Sequence, residues 1–173
     1  GKGSRFVITI CLTKCGTPAV SPPEKHPTEE NFPTLRALLA EDNELNRQIA
    51  TEMLEILHVR VETAENGREA VNAVLSHPPL YYDIIFMDIQ MPILNGYDAA
   101  REIRASGKER IDELPIIAMT ADAIAEDVKH AGLSGMNGHL AKPISIERLR
   151  EALSNCLSWK LHNQGSSPSC DEF

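Results

Sequence analysis

The sequence contains no long hydrophobic run and no recognisable leader. Its longest apolar runs, such as residues 6–12 and 84–87, are far shorter than the roughly 20 residues that a membrane-spanning helix needs. No signal peptide is recognisable at the start of the chain. We therefore expect a soluble fragment with a cytoplasmic location.

Basic clusters and a dense cysteine framework are also missing. The net charge is −8 and lysine and arginine never cluster, so the chain would repel the phosphates of nucleic acid rather than neutralise them. Cys11, Cys15, Cys156 and Cys170 lie near the two ends, and the spacing of the first two is a weak metal signature. We interpret all four as reduced thiols and expect no binding to nucleic acid.

The 173 residues suit one domain of ordinary size with tails. Residues 1–15 begin with a glycine turn and continue into strand-like residues 4–12. Residues 16–33 contain five prolines among polar residues, which predicts an extended linker. Residues 34–159 form the predicted domain. Residues 160–173 lack periodicity and are predicted to be disordered.

Short apolar strands alternate with amphipathic helices through the predicted domain. The predicted strands are residues 35–41, 59–64, 83–87, 116–119 and 138–141. Those starting at Leu35, Asp83 and Ile116 are continuously apolar, as strands buried on both faces should be. Five βα units follow, and we predict a flavodoxin-like, doubly wound parallel sheet with strand order 2-1-3-4-5.

The helices are predicted from apolar residues at helical spacing, which should face the core. These residues are Leu45, Ile49, Met53, Ile56 and Leu57, then Ala70, Val71, Val74 and Leu75, and later Leu149, Leu153 and Leu157. Asn66-Gly67 and Asn95-Gly96 mark turns into helices, and Asp122 and Ser145 stand where helix N-caps are expected.

Polar residues follow three of the predicted strands. Glu41 and Asp42 follow the first strand, Asp88 ends the third, and Lys142 follows the fifth. In an open parallel sheet the binding crevice lies at the carboxyl ends of the strands, where the strand order reverses. This order would bring the three carboxylates into one pocket, with Asp88 as a phosphate acceptor.

Three clustered carboxylates repel one another and favour a cation. Oxygen ligands with room for water favour Mg²⁺, which bridges carboxylates to phosphate oxygens. Lys142 would supply a second positive charge to the phosphoryl group. Thr120, at the end of the fourth strand, could hydrogen-bond the new phosphate and act as a switch. The small Ala121 would leave the acceptor open to a partner carrying phosphohistidine.

This pattern resembles the receiver domain of two-component response regulators over about residues 35–157. The matching pieces are Ala40-Glu41-Asp42-Asn43, Met87-Asp88-Ile89-Gln90-Met91-Pro92, Met119-Thr120-Ala121 and Lys142-Pro143. The resemblance implies that Asp42, Asp88 and the backbone carbonyl of Gln90 bind Mg²⁺ directly, and that Glu41 acts through water. It also implies a cis peptide before Pro143.

The same resemblance implies partners and a limited activity. The domain would take phosphate from the phosphohistidine of a kinase and pass it to a histidine phosphotransfer protein or return it. It would catalyse only its own phosphorylation and dephosphorylation. Most receivers carry Tyr or Phe three residues before the lysine, where this chain has His139. The usual coupling of an aromatic side chain to Thr120 is therefore altered, and we interpret His139 as a partly buried packing residue.

Residues 1–6, a glycine box followed by a strand, resemble the end of a histidine-kinase ATP-binding domain. Followed by a proline-rich linker and a receiver, they resemble the end of a hybrid sensor histidine kinase. The parent chain would then be a histidine protein kinase, and this fragment a cytoplasmic part of it, including when that kinase is membrane-bound.

The same residues bear on three other functions. A phosphorylation-independent interaction module, or pseudo-receiver, would not need the acidic residues with Thr120 and Lys142. A haloacid-dehalogenase-type phosphatase would have an aspartate as general acid where this chain has Gln90. A flavin carrier would have an uncharged phosphate loop in place of Glu41 and Asp42.

Overall fold

The predicted parallel sheet is present in the computed structural model, which describes residues 35–121 and 132–163, with side chains as far as residue 158. Its strands are β1 (Arg36–Ala40), β2 (Arg60–Ala64), β3 (Ile84–Asp88), β4 (Ile116–Thr120) and β5 (Gly138–Ala141). All neighbours are parallel, in the order β2-β1-β3-β4-β5. The predicted fold class and strand order are confirmed.

Helices connect the strands. They are α1 (Glu44–Ile56), α2 (Gly67–Ser76), α3 (Gly96–Ala105) and α4 (Ile146–Asn163), with a short 3-10 helix at Ile111–Glu113. None of the helices in the described ranges is long and apolar enough to cross a membrane. The predictions for residues 1–34, 122–131 and 164–173, which include the linker, the cap at Asp122 and the tail, lie outside the described residues.

The sheet is covered on both faces, which explains the apolar strands. Every residue of β3 is buried. On one face, α2 and α3 contribute buried residues such as Val74 and Ile103 to the core. On the other face, α1 and α4 contribute Leu54 and Leu153. Burial on both sides is what a continuously apolar central strand requires.

The predicted core stripe of α1 is wrong for three of its five residues, whereas Met53 and Leu57 do pack against the core. Leu45, Ile49 and Ile56 are 65%, 42% and 63% exposed, whereas Ala50 and Leu54 are buried. Two apolar rows lie side by side on this helix, one residue apart, and periodicity alone does not say which row faces the sheet. Of the predicted residues only Leu57 is fully buried. Leu75, at the end of α2, is also exposed. An apolar row on α1 therefore faces outward.

The predicted turns and caps place the loops at the carboxyl edge of the sheet. The side chains of Asn66 and Asn95 accept hydrogen bonds from the first turns of α2 and α3. Gly96 is required because a Cβ there would collide with the Asp88 carbonyl oxygen. The peptide between Lys142 and Pro143 is cis, as the resemblance implied.

Candidate functional site

Three carboxylates meet at the carboxyl edge of the sheet. β1 and β3 are neighbours, so the loop after β1 carries Glu41 and Asp42 to the end of β3, where Asp88 lies. One oxygen from each carboxylate lies within 4.8 Å of the others. Glu41 and Asp88 are buried, whereas Asp42 is exposed. The predicted acidic cluster is therefore assembled by the order of the strands.

Lys142 connects two of these carboxylates. Its Nζ lies 2.7 Å from Glu41 Oε2 and 2.6 Å from Asp88 Oδ2. Asn46, on α1, donates from Nδ2 to the other Glu41 oxygen at 3.0 Å. Both oxygens of the buried Glu41 carboxylate therefore have donors, and one face of Asp88 is occupied by a cation.

The charges in the cluster oppose one another. Burial raises the pKa of Asp88 and the charge of Glu41 raises it further, while hydrogen bonds from Lys142 and from the Gln90 N–H lower it; the net shift is upward. Burial lowers the pKa of Lys142, but its hydrogen bonds to Asp88 and Glu41 outweigh burial, so that pKa is raised. The single ammonium does not balance three carboxylates, and a second cation would relieve the excess.

The cluster lines a cleft of about 290 Å³ that also includes Gln90, Thr120 and Ala121. Thr120 is buried at the end of β4, and its carbonyl accepts a hydrogen bond from the Lys142 N–H at 2.7 Å. The Gln90 N–H donates to Asp88 Oδ1 at 3.2 Å. Every predicted site residue except His139 therefore lines this cleft.

His139 is exposed, so its interpretation as a partly buried packing residue is wrong. The cause is its position on β5, which is an edge strand. Its side chain lies on the same face of the sheet as Thr120, because His139 is in register with Ala118, two residues before Thr120. It lines a separate cavity with Ile117 and Cys156 rather than the acidic cleft. A part for His139 in the switch remains a prediction.

Two residues that support the cleft were not predicted from the sequence: Asn46, which lines it, and Arg47, which contacts the backbone behind it. Asn46 donates to Glu41, and Arg47 donates from Nη1 to the Glu41 carbonyl at 2.8 Å. Both lie in the first turn of α1, four and five residues after Asp42. Polar residues in the first turn of a helix that follows an acidic loop would have been the signal, because that turn faces back toward the loop.

The donor set fits a magnesium ion. All the side-chain donors are carboxylate oxygens, two of them buried, and together they carry more negative charge than Lys142 neutralises. Oxygen ligands and an open side for water are what Mg²⁺ requires. The cleft is therefore chemically suited to a hard divalent cation next to the Asp88 carboxylate.

Curated relatives with similar sequences are histidine kinases. The peroxide stress-activated histidine kinase mak1 of Schizosaccharomyces pombe is 35% identical over 130 residues, which cover 72% of this chain and 8% of that protein. The sensor histidine kinase GacS of Pseudomonas protegens is 35% identical over 131 residues, covering 75% of this chain and 14% of that protein. The chain thus spans a small part of the length of these relatives.

Solved structures of receiver domains have the same fold. One is the receiver domain of the sensor histidine kinase PA1611 from Pseudomonas aeruginosa, crystallised with magnesium in its active-site cleft. It has a TM-score of 0.64 and 38% identity and covers 72% of this chain and 98% of that one. Another is the receiver domain of the yeast response regulator Ssk1, crystallised with the histidine phosphotransfer protein Ypd1. It has a TM-score of 0.64 and 32% identity and covers 71% of this chain and 88% of that one.

The family comparison agrees with the geometry of the cleft. The model of the response regulator receiver domain matches residues 37–154, which include the acidic cluster and all five strands except the first residue of β1. On this evidence, the chain belongs to the response regulator receiver domain family of two-component signalling.

Proposed function

We propose that this domain is a phosphorelay receiver that accepts a phosphoryl group from phosphohistidine onto Asp88 and passes it to a histidine phosphotransfer protein. The observation that carries the proposal is the contact of 2.6 Å between Lys142 Nζ and Asp88 Oδ2 inside a cleft that also holds Glu41 and Asp42. A carboxylate at the end of a central strand, with a cation on one side and further acids on the other, is suited to attack phosphorus.

Asp88 is the nucleophile in this proposal. One of its oxygens forms a bond to phosphorus as the bond to the imidazole nitrogen of the donor breaks, which leaves an acyl phosphate. The reverse reaction on a second histidine empties the site. Hydrogen bonds from Lys142 and from the Gln90 N–H favour the ionised carboxylate that this attack needs, against burial and the charge of Glu41.

Asp42, Asp88 and the backbone carbonyl of Gln90 would hold Mg²⁺, and Glu41 would act through water. When bound, the ion would neutralise the carboxylates and stabilise the charge on the phosphoryl oxygens. Lys142 would keep its contact with Glu41 while turning toward the phosphate. The Thr120 hydroxyl, buried at the cleft, would then hydrogen-bond the phosphate and, with His139, move the surface formed by β4 and β5.

An apolar groove beside the cleft supports a protein as the donor or acceptor. Ile49, Ala121, Pro143 and Ile144 line a second cavity of about 380 Å³, which shares Glu41 and Lys142 with the acidic cleft. Ile49 belongs to the outward apolar row of α1. A histidine delivered to Asp88 by a helical domain would bring its own apolar surface onto α1, which accounts for exposed leucine and isoleucine there.

The chain is proposed to be the receiver of a hybrid sensor histidine kinase. The histidine kinases among its relatives support this assignment, together with the glycine box before the linker. Residues 1–15 would then end the ATP-binding domain, residues 16–33 would be the linker, residues 34–159 the receiver and residues 160–173 the tail.

The test is the intact mass of the chain after incubation with acetyl phosphate. We expect one phosphate increment that requires Mg²⁺ and disappears in Asp88→Asn. The matched control is Thr120→Val, which removes the hydroxyl of a neighbouring residue and keeps the shape of its side chain. This variant should still gain phosphate. If wild type gains no phosphate with Mg²⁺, the receiver function is wrong and the phosphorylation-independent interaction module takes its place.

A further inference from the structure

Arg47 joins the loop after β1, which lines the cleft, to the loop between β2 and α2 through a forked set of contacts. Nη1 donates to the Glu41 carbonyl at 2.8 Å and to the Asp42 carbonyl at 3.3 Å. Nη2 lies 3.0 Å from Glu65 Oε1, in the loop between β2 and α2. The Arg47 side chain is only 15% exposed. This guanidinium therefore contacts the backbone of both acidic residues that follow β1.

The Asp42 carboxylate depends on this backbone for its position. Glu41 is fixed by side chains, since Asn46 and Lys142 donate to its two oxygens. Asp42 is exposed, and in residues 35–121 and 132–163 no group donates a hydrogen bond to its carboxylate. The direction of that carboxylate is therefore set by the loop conformation, which the contact from Arg47 to the Asp42 carbonyl restrains.

The connection continues to the loop that follows Asp88. Glu65 is two residues before Gly67, whose N–H donates to the Leu94 carbonyl at 3.1 Å. Gly67 has no room for a side chain, because a Cβ would collide with that carbonyl oxygen. Arg47 thus links the loop that carries Asp42, through the loop of Glu65, to the loop that follows Asp88.

We infer that Arg47 is a positioning residue that holds the Asp42 carboxylate at the distance from Asp88 that a divalent cation requires. The inference rests on the proposed magnesium site. Two roles for this guanidinium have opposite consequences. As a nearby positive charge it would repel Mg²⁺, so that its removal would tighten binding. As a positioning residue it would favour Mg²⁺, so that its removal would weaken binding.

The experiment measures Mg²⁺ affinity by calorimetry on the full chain, without a phosphodonor. We expect Arg47→Ala to raise the Kd for Mg²⁺ about tenfold, the lower end of the range for groups that orient metal ligands. Arg47→Lys should raise it about threefold, since an ammonium keeps the charge but not the fork. The matched control is Arg68→Ala, which removes an exposed ion pair of 2.5 Å to Glu102 and should leave the Kd within about twofold of wild type.

Other outcomes overturn the inference. Arg47→Ala should have the circular dichroism spectrum of wild type. If this folded variant binds Mg²⁺ as tightly as wild type or more tightly, Arg47 is a structural or purely electrostatic residue. If Arg47→Ala does not fold, Glu65→Ala replaces it, because it removes the acceptor of Arg47 Nη2. A Kd no weaker than that of Glu102→Ala, which also removes one negative charge, overturns the inference. A wild-type chain that binds no Mg²⁺ contradicts the proposed magnesium site and this inference together, whereas binding by wild type that Arg47 does not affect contradicts the inference alone.

Discussion

Two half-buried cations lie at opposite ends of the strands, and they differ in what surrounds them. Lys142, at the carboxyl end, contacts two carboxylates. Arg104 extends from α3 to the amino end and donates to four oxygen atoms of uncharged groups. Carboxylates bind protons, metals and phosphoryl groups, whereas carbonyl and amide oxygens here have fixed partners. A positive charge therefore lies beside groups that can exchange their ligands at one end of the strands, and beside groups with permanent hydrogen-bond partners at the other.

The surroundings of Arg104 show how a permanent site is built. Nε donates to the Gly135 carbonyl at 2.9 Å, and Nη2 donates to the Leu114 carbonyl and to Asn137 Oδ1, both at 2.8 Å. Nη1 donates to the Ile111 carbonyl. Burial lowers the pKa of Arg104, although the charge of a nearby aspartate opposes this shift. These bonds join α3 to the segments that lead into β4 and β5.

Lys142→Met should have the largest effect on stability. It leaves the buried Glu41 and Asp88 carboxylates without their cation, and we expect the free energy of unfolding at pH 7 to fall by about 3 kcal/mol. Saturating Mg²⁺ should restore part of this loss, because the variant lacks the ammonium that opposes the ion and should bind it more tightly than wild type does, and an ion that binds only the folded chain stabilises it. Urea unfolding with and without Mg²⁺ measures both effects. An equal loss in the two conditions would contradict a metal site next to Lys142.

Arg104→Met is the matched change at the other end of the sheet. We expect a loss of about 2 kcal/mol, because the acceptors left behind on the buried Ile111 and Leu114 lose their donor, whereas water can satisfy those on the more exposed Gly135 and Asn137. The loss should be the same with and without Mg²⁺, since none of the acceptors is charged. A restoration by Mg²⁺ as large as that of Lys142→Met would remove the distinction between the two ends.

Asp88→Asn should stabilise the folded chain in the absence of Mg²⁺. The raised pKa of Asp88 means that the folded state favours its protonated form, so its charge costs stability as the pH rises above the ordinary value of 3.8. We expect a gain of about 1 kcal/mol at pH 7, the Coulomb energy of two unit charges about 4 Å apart in water. Unfolding by urea at several pH values should show this gain vanish in acid. A loss of stability at pH 7 would mean that the bond to Lys142 outweighs both the burial of the Asp88 charge and its repulsion from Glu41.

The residues at the carboxyl end were predictable, and those at the amino end were not. Asp88, Thr120 and Lys142 follow apolar strands, and a parallel sheet brings all such positions to one edge whatever the details of packing. Arg104 reaches Gly135 across 31 residues of sequence, where the chain turns with a φ of +81°. Nothing in the local pattern of an arginine on a helix indicates such a contact.

The α1 helix shows the corresponding limit for the core. Its two apolar rows have the same periodicity, and the choice between them depends on which residues fit against the sheet. Ala50 and Leu54 are buried there. The neighbouring row, which includes Leu45 and Ile49, is left outside, next to the acidic cleft. The sequence pattern therefore predicted the helix but not its orientation, which decides which apolar row is exposed.

Tyr82→Phe should have the smallest effect on stability. It removes one of two uncharged donors that hydrogen-bond the Glu62 carboxylate. The hydroxyls of Tyr81 and Tyr82 donate to the two oxygens of Glu62 at 2.7 and 2.5 Å. Burial raises the pKa of Glu62, but these hydrogen bonds outweigh burial and the net shift is downward. We expect Tyr82→Phe to lower the free energy of unfolding at pH 7 by about 1 kcal/mol, the net value of one hydrogen bond.

The stability difference between wild type and Tyr82→Phe should depend on pH in a way that distinguishes Glu62 from the carboxylates beside Lys142. Because the folded state lowers the pKa of Glu62, the stabilisation from Tyr82 is present above the ordinary value of 4.5 and is lost as the pH falls below it. The pKa of Tyr82 is itself raised by burial and by Glu62, so the stabilisation is also lost as the pH rises above the ordinary value of 10. The free energies of unfolding of wild type and Tyr82→Phe, measured across this pH range, should differ most near neutrality. Tyr81→Phe, at the more exposed tyrosine, is the control. A difference that does not change with pH would mean that Tyr82 stabilises the chain by packing alone and not through the charge of Glu62.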